Sequence, residues 1–212
     1  MATPLEMTLR WCLAAQHAVR QYERVPHISN IVCSVRDLAL GRDSAVGVCV
    51  VNTVTWLSVG VIVGSVRQNT LDTLAPRIVA QLEPHHQRHT LQNIVCLTVY
   101  EKQCTLHKQA VTVEVPSHGT WRVHFVLFSA DNMLNNPFNM NITPNDYRIV
   151  SPDSDEHAAI LRYTSQTQLA KMLDNDAVAR VLGLRAGDLV AHTRCLGTLP
   201  PTTMYRYVTT HA

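Results

Sequence analysis

Lysine is scarce in this chain. Lys102, Lys108 and Lys171 are the whole set, and the remaining basic residues are arginines scattered singly along the 212 residues. A protein that grips nucleic acid by itself collects a basic face, so any nucleic-acid contact made here is shared with a partner. The six cysteines include no Cys-x2-Cys pair, which argues against a zinc ribbon or a thioredoxin-type redox site; buried small hydrophobes are the simpler reading of these thiols. A glycine-rich phosphate loop and a Gly-x-Ser-x-Gly elbow are also missing. Met1-Ala2-Thr3-Pro4-Leu5-Glu6 has neither the charged start nor the apolar stretch of a secretion signal, so a reducing intracellular compartment is expected. Disorder is excluded from the other side: 46% of residues are hydrophobic and the net charge is only +2, enough apolar material for a real core.

Charge is wholly absent between Asp43 and Arg67. Val46 to Val66 is long enough to cross a bilayer, and Gly60-Val61-Ile62-Val63-Gly64 has the spacing of a helix-packing motif. However, the run is rich in Val and Thr, and Asn52-Thr53 interrupts it with turn residues. Two buried strands, Val46 to Val51 and Val54 to Val63, fit better than one membrane helix, with the two glycines serving close strand packing.

Periodicity places an amphipathic helix from Glu6 to Arg24, ended by Pro26, before that hairpin. A second helix, capped by Asn69-Thr70, runs from Leu71 to about Glu83, with Pro76 in its first two turns. Asn93 to Tyr100 reads as a strand, Lys102 to Gln109 as a short helix, Val111 to Val115 as an additional strand and Trp121 to Phe128 as another, which together imply a mixed sheet. Asp131 to Pro144, rich in Asn, Met and Pro, reads as a domain junction. Beyond it, Ser151-Pro152 followed by acids starts a helix ending near Tyr163, a second can begin at Thr167, and a third is capped by Asp176 and stopped by Gly183. Leu189 to Thr193 and Met204 to Val208 close the chain as a strand pair. The fold class expected is α+β or α/β: a mixed-sheet domain over residues 1–140 and a small α+β domain over residues 141–212.

Candidate chemistry is thin. His85 and His89 lie one helical turn apart without a third ligand nearby in sequence, and histidines at a helix end can instead complement its dipole, so no metal and no cofactor are expected. His124, Ser129 and Asp131 are close in sequence, but a triad is defined by geometry, and no catalytic residues are assigned. Trp11, Trp56 and Trp121 read as core or partner anchors rather than base-stacking platforms.

The tail is more specific. The stretch from Gln168 through Asp176-Ala177-Val178-Ala179-Arg180, Gly183-Leu184-Arg185-Ala186-Gly187 and Leu189-Val190 resembles the carboxy-terminal assembly domain of RNA polymerase subunit 5, a shared eukaryotic subunit that has an archaeal counterpart. Asp176, Val178, Ala179, Arg180, Gly183, Gly187 and Val190 stand in the family register, which continues to Arg194, Thr198, Tyr205, Arg206 and Val208. Asn141-Ile142-Thr143 resembles the start of that domain, although the His-x-Leu-Val-Pro that usually follows is replaced. The amino-terminal order of elements is similar to the family's jaw domain.

The resemblance implies a non-catalytic subunit of a nuclear DNA-directed RNA polymerase. Its assembly domain would dock on the largest subunit beside neighbouring small subunits, and its jaw would sit near downstream DNA. Asp176, Val178, Ala179, Arg180, Gly183, Gly187, Arg194, Thr198, Tyr205 and Arg206 would form the partner-binding motif. Arg180 and Arg206 can serve ionic contacts with a neighbouring chain or be solvated or locally paired. Between Cys195 and Thr202 the family's Pro-Ser-Glu and Gly-Arg-Tyr give way to Leu196-Gly197 and Leu199-Pro200-Pro201. Such divergence at a loop tip fits a copy adapted to one polymerase class, as in the nucleolar polymerase I type second isoform of kinetoplastids, or else a viral polymerase subunit. The rival from another class is a metal-dependent nuclease-like α/β protein.

Overall fold

The computed structural model describes residues 3–24, 35–37, 44–51, 57–83, 93–105, 110–116, 119–135, 146–194 and 200–210. The chain divides into two compact units, Met1–Leu13 with Val32–Asn135 and Ala14–Ile31 with Asn136–Ala212.

Helix α1 (Pro4–Arg20) starts earlier than its apolar periodicity suggests. Thr3 and Glu6 form a reciprocal capping box: the Glu6 N–H donates to Thr3 Oγ1 at 3.2 Å and the Thr3 N–H to Glu6 Oε2 at 2.7 Å, with Pro4 at the first helical position. The helix also stops earlier. Tyr22 adopts a left-handed φ of 60°, the Glu23 N–H donates to the Ala18 carbonyl at 2.9 Å, and the Tyr22 N–H to the Val19 carbonyl at 3.1 Å. This pair of bonds satisfies the terminal carbonyls before Pro26 is reached.

The first unit is built on a six-stranded mixed sheet of order β1-β2-β3-β4-β6-β5, formed by β1 (Val35–Asp37), β2 (Ser44–Val51), β3 (Leu57–Arg67), β4 (Asn93–Thr105), β5 (Ala110–Val115) and β6 (Gly119–Ser129). Strands β3, β4 and β6 run parallel; β1, β2 and β5 are added antiparallel. The charge-free stretch is therefore β2 and β3, as expected, and no helix among the described residues is long and apolar enough to cross a membrane. The expected turn at Asn52-Thr53 lies outside the described residues.

Helix α2 (Gln68–Leu82) lays Leu71, Leu74, Ile78 and Leu82 on the sheet face made by Val59, Val61, Cys96, Val123 and Phe125. It begins before the expected Asn69-Thr70 cap. Arg67 is the capping position, and Thr70 Oγ1 accepts the Arg67 N–H at 3.3 Å. Pro76 is then interior, yet the helix continues to Leu82. Its one missing hydrogen bond is outweighed by the buried face on either side. Trp121 is fully buried in this core, and Trp11 is buried as well.

One sequence expectation fails in this unit. Lys102 to Thr105 is not helical: β4 continues through it because the parallel ladder with β3 runs on to Arg67 opposite Thr105, so long-range pairing overrides local preference. Residues 106–109 lie outside the described set. At the start of the expected junction Ser129 caps the short helix α3 (Ala130–Leu134), whose Met133 is buried, and the first unit ends at Asn135.

The second unit carries a four-stranded sheet of order β7-β9-β10-β8, from β7 (Asp146–Ile149), β8 (Ala170–Leu173), β9 (Leu189–Arg194) and β10 (Thr202–Thr209). Helix α4 (Asp155–Tyr163) and helix α5 (Ala177–Leu182) complete it. The α4 cap is Ser154 rather than Ser151: Ser154 Oγ accepts the His157 N–H at 3.1 Å, while Pro152 stays in the preceding turn. The helix expected from Thr167 is absent. Residues 166–168 turn, and β8 pairs in parallel with β10, Ala170 opposite Arg206.

Candidate assembly interface of the second unit

The motif around α5 is spent largely on folding. Asp176 Oδ1 accepts the Val178 N–H at 2.8 Å, which caps the helix, while Val178 and Ala179 are buried. Gly183 ends the helix at φ 63°, and the Leu184 N–H reaches back to the Ala179 carbonyl at 2.8 Å. Gly187 has a φ of 100°, and a Cβ placed there would meet nothing within 4 Å, so backbone conformation alone demands glycine. Its N–H donates to the Val208 carbonyl at 2.9 Å, and the Val208 N–H donates to the Asp188 carbonyl at 2.9 Å, tying the turn to β10. Arg180 lies on α5 with its side chain half-buried.

Two residues that sequence reasoning missed hold this motif. Gln16 Nε2 donates to the Val181 carbonyl at 2.9 Å. Arg20 donates to the Gly183 carbonyl at 2.5 Å and pairs with Asp188 at 3.1 Å, while Asp188 Oδ2 also accepts the Arg185 N–H at 2.7 Å. No local signal marks either residue, since each partner lies more than 160 positions away.

The sheet sorts the remaining motif residues by face. Val190, His192 and Arg194 of β9 share one face with Met204, Arg206 and Val208 of β10 and with Tyr147 and Ile149 of β7. His192 is almost fully buried. Its ring stacks on Tyr147 with centroids 5.5 Å apart and 17° between planes, and its Nε2 accepts a hydrogen bond from Arg206 Nε at 3.3 Å. Arg194 is exposed at the end of β9 on that same face, and among the described residues neither Arg194 nor Arg206 forms an ion pair. Tyr205 lies on the opposite face, where its hydroxyl donates to Glu156 Oε1 at 2.9 Å beside the Arg148–Glu156 pair at 2.5 Å. The structure therefore gathers Arg194 and Arg206 around His192 and separates Tyr205 from them. Thr198 lies outside the described residues.

The segment that carries this arrangement, residues 143–208, matches the family model described as RNA polymerase Rpb5, C-terminal domain. The carboxy-terminal domain belongs to the RNA polymerase subunit 5 family. The match covers the carboxy-terminal unit, and the family it names is one of RNA polymerase subunits. No curated protein matches the chain at a significant level.

The candidate catalytic residues do not come together. Ser129 Oγ accepts the Asn132 N–H at 3.2 Å as a helix cap, and His124 stands about 16 Å from Ser129 along extended β6, so those residues do not assemble a triad. His85 and His89 lie outside the described residues, and no group of three or more metal-binding side chains gathers among the rest. Burial pushes the Cys12 and Cys96 thiols up to about 12, far from reactive thiolates.

Two ionisable groups in the subunit 5 domain make its stability depend on pH. Burial, then the charges of Arg206 and Arg194, hold His192 below the ordinary imidazole value. Glu156 is held below the ordinary carboxylate value, mainly by its Arg148 hydrogen bond and further by Tyr205. In both cases the unfolded chain binds the proton more readily, so the stabilisation is complete above the unfolded value and is lost as pH falls through the folded one. Thermal melts should therefore show one loss as the medium is acidified from about pH 7 to 5, abolished by His192→Phe. A second, at lower pH, should be abolished by Glu156→Gln.

Proposed function

We propose that this chain is a non-catalytic structural subunit of a nuclear polymerase, docking on the largest subunit through the face of the carboxy-terminal domain that carries Arg194 and Arg206. One observation carries the reading. Asp176, Val178, Ala179, Gly183 and Gly187 are consumed in capping, packing and turning, whereas these two arginines stay near the surface without an acid among the described residues. Arg180 extends the contact, Tyr205 stands on the opposite face, and neighbouring small subunits border the domain. The amino-terminal sheet unit serves as the jaw beside downstream DNA, with phosphoryl transfer carried out by other chains. Scattered arginines and a net charge of +2 suit a scaffold that borders DNA without gripping it.

The exchanged residues between Cys195 and Thr202 support service to one polymerase class, which we assign as polymerase I, working in the nucleolus. Affinity purification of the tagged chain from its own cells should recover the two largest polymerase I subunits. Recovery of neither large subunit of any polymerase would refute the proposal, and recovery of another class would refute the class assignment alone.

A further inference from the structure

His192 stands out on a sheet face whose other buried members are the aliphatic Ile149, Val190 and Val208 and the aromatic Tyr147. Accepting from Arg206 through Nε2 requires the neutral ring with its proton on Nδ1, and Nδ1 is buried without a partner among the described residues. An unpaired buried donor is destabilising, so a position that needed only filling would be better served by valine or isoleucine. The ring's other nitrogen is the one in use. It holds Arg206 by Nε, and Tyr147 fixes the ring from one side by stacking at 5.5 Å.

An arginine held by Nε keeps both terminal nitrogens for a bidentate partner and loses less rotamer freedom when that partner arrives. We infer that His192 is a positioning residue, which orients the Arg206 guanidinium to receive a carboxylate of the partner polymerase chain. A protein carboxylate suits the site better than nucleic-acid phosphate, because a phosphate backbone is met by clustered lysines and arginines and this chain has three lysines in all. The inference rests on the docking face proposed above.

The test is quantitative co-purification of the largest polymerase subunit with the tagged full-length chain, read beside the melting temperature. His192→Phe keeps the stack and loses the acceptor. Recovery should fall about tenfold, with the melting temperature at neutral pH unchanged or raised because the orphan donor is gone. His192→Gln, which restores an acceptor, should recover most of the binding. Arg206→Lys keeps the charge but has no Nε to hold, so it should weaken recovery by itself and make His192→Phe silent in its background. Wild-type recovery by His192→Phe, or an equal further loss in the Arg206→Lys background, would overturn the role. A variant that keeps the large subunit but loses affinity for a duplex DNA probe would show that the ligand is phosphate and overturn the carboxylate. If the wild-type chain itself recovers no large subunit, the proposed docking fails first, a result distinct from either pattern.

Discussion

Replacing Arg20 with alanine should cost the carboxy-terminal unit about 3 kcal/mol, because it removes one partner of a largely buried ion pair and strips the Gly183 carbonyl of its donor. The Arg20 and Asp188 side chains retain only 18% and 17% of their exposure, so water cannot replace the guanidinium well. Asp188 also accepts the Arg185 N–H, and its backbone carbonyl receives the Val208 N–H, so the disturbance reaches the turn at Gly187 and the edge of β10. Hydrogen exchange resolved over residues 177–192 should accelerate about a hundredfold, while the α2 peptides keep their protection. Asp188→Ala should cost a similar amount and add little on top of Arg20→Ala. Simple additivity of the two would show that the pair does not couple them.

How much of this was legible in the sequence follows from the range of the interactions. Helix α5 was legible in full, since a capping Asp176 and a left-handed Gly183 act within one helical turn. The charge-free β2 and β3 were legible because β-branched content and a polar interruption are local as well. Strand β8 was not: Leu169, Met172 and Leu173 have helical spacing, and only the distant ladder with β10 makes them a strand. The far end of β4 fails for the same reason. Arg20 and Gln16 look like ordinary members of an amphipathic helix, and nothing short of the fold connects them to residues 181–188. His192 did carry one local signal, being a histidine set inside the apolar start of β9. The assembly motif was thus readable as a pattern, but which of its members fold the domain and which remain outside was decided by capping geometry and sheet face.

Gly60→Val should destabilise the amino-terminal unit by about 3 kcal/mol. The two glycines of the charge-free run look equivalent in sequence, and close strand packing was the expectation for both. Their surroundings differ. A Cβ on Gly60 would lie 2.9 Å from both Leu9 Cδ1 and Leu9 Cγ and 3.0 Å from Leu13 Cδ1, whereas one on Gly64 meets nothing within 4 Å. Helix α1, not a neighbouring strand, is what presses on Gly60. Leu9 and Leu13 are fully buried, so neither can swing into solvent, and the added methyls must displace α1 from the sheet or force strained rotamers. The strand preference of valine over glycine, about 1 kcal/mol, offsets only part of that cost. Gly64→Ala should restrict the unfolded backbone without a clash and leave stability unchanged or about 0.5 kcal/mol higher. Urea unfolding followed by the fluorescence of buried Trp11 and Trp121 measures both variants in the same unit. Equal midpoints for the two would mean that α1 does not press on β3 through Gly60.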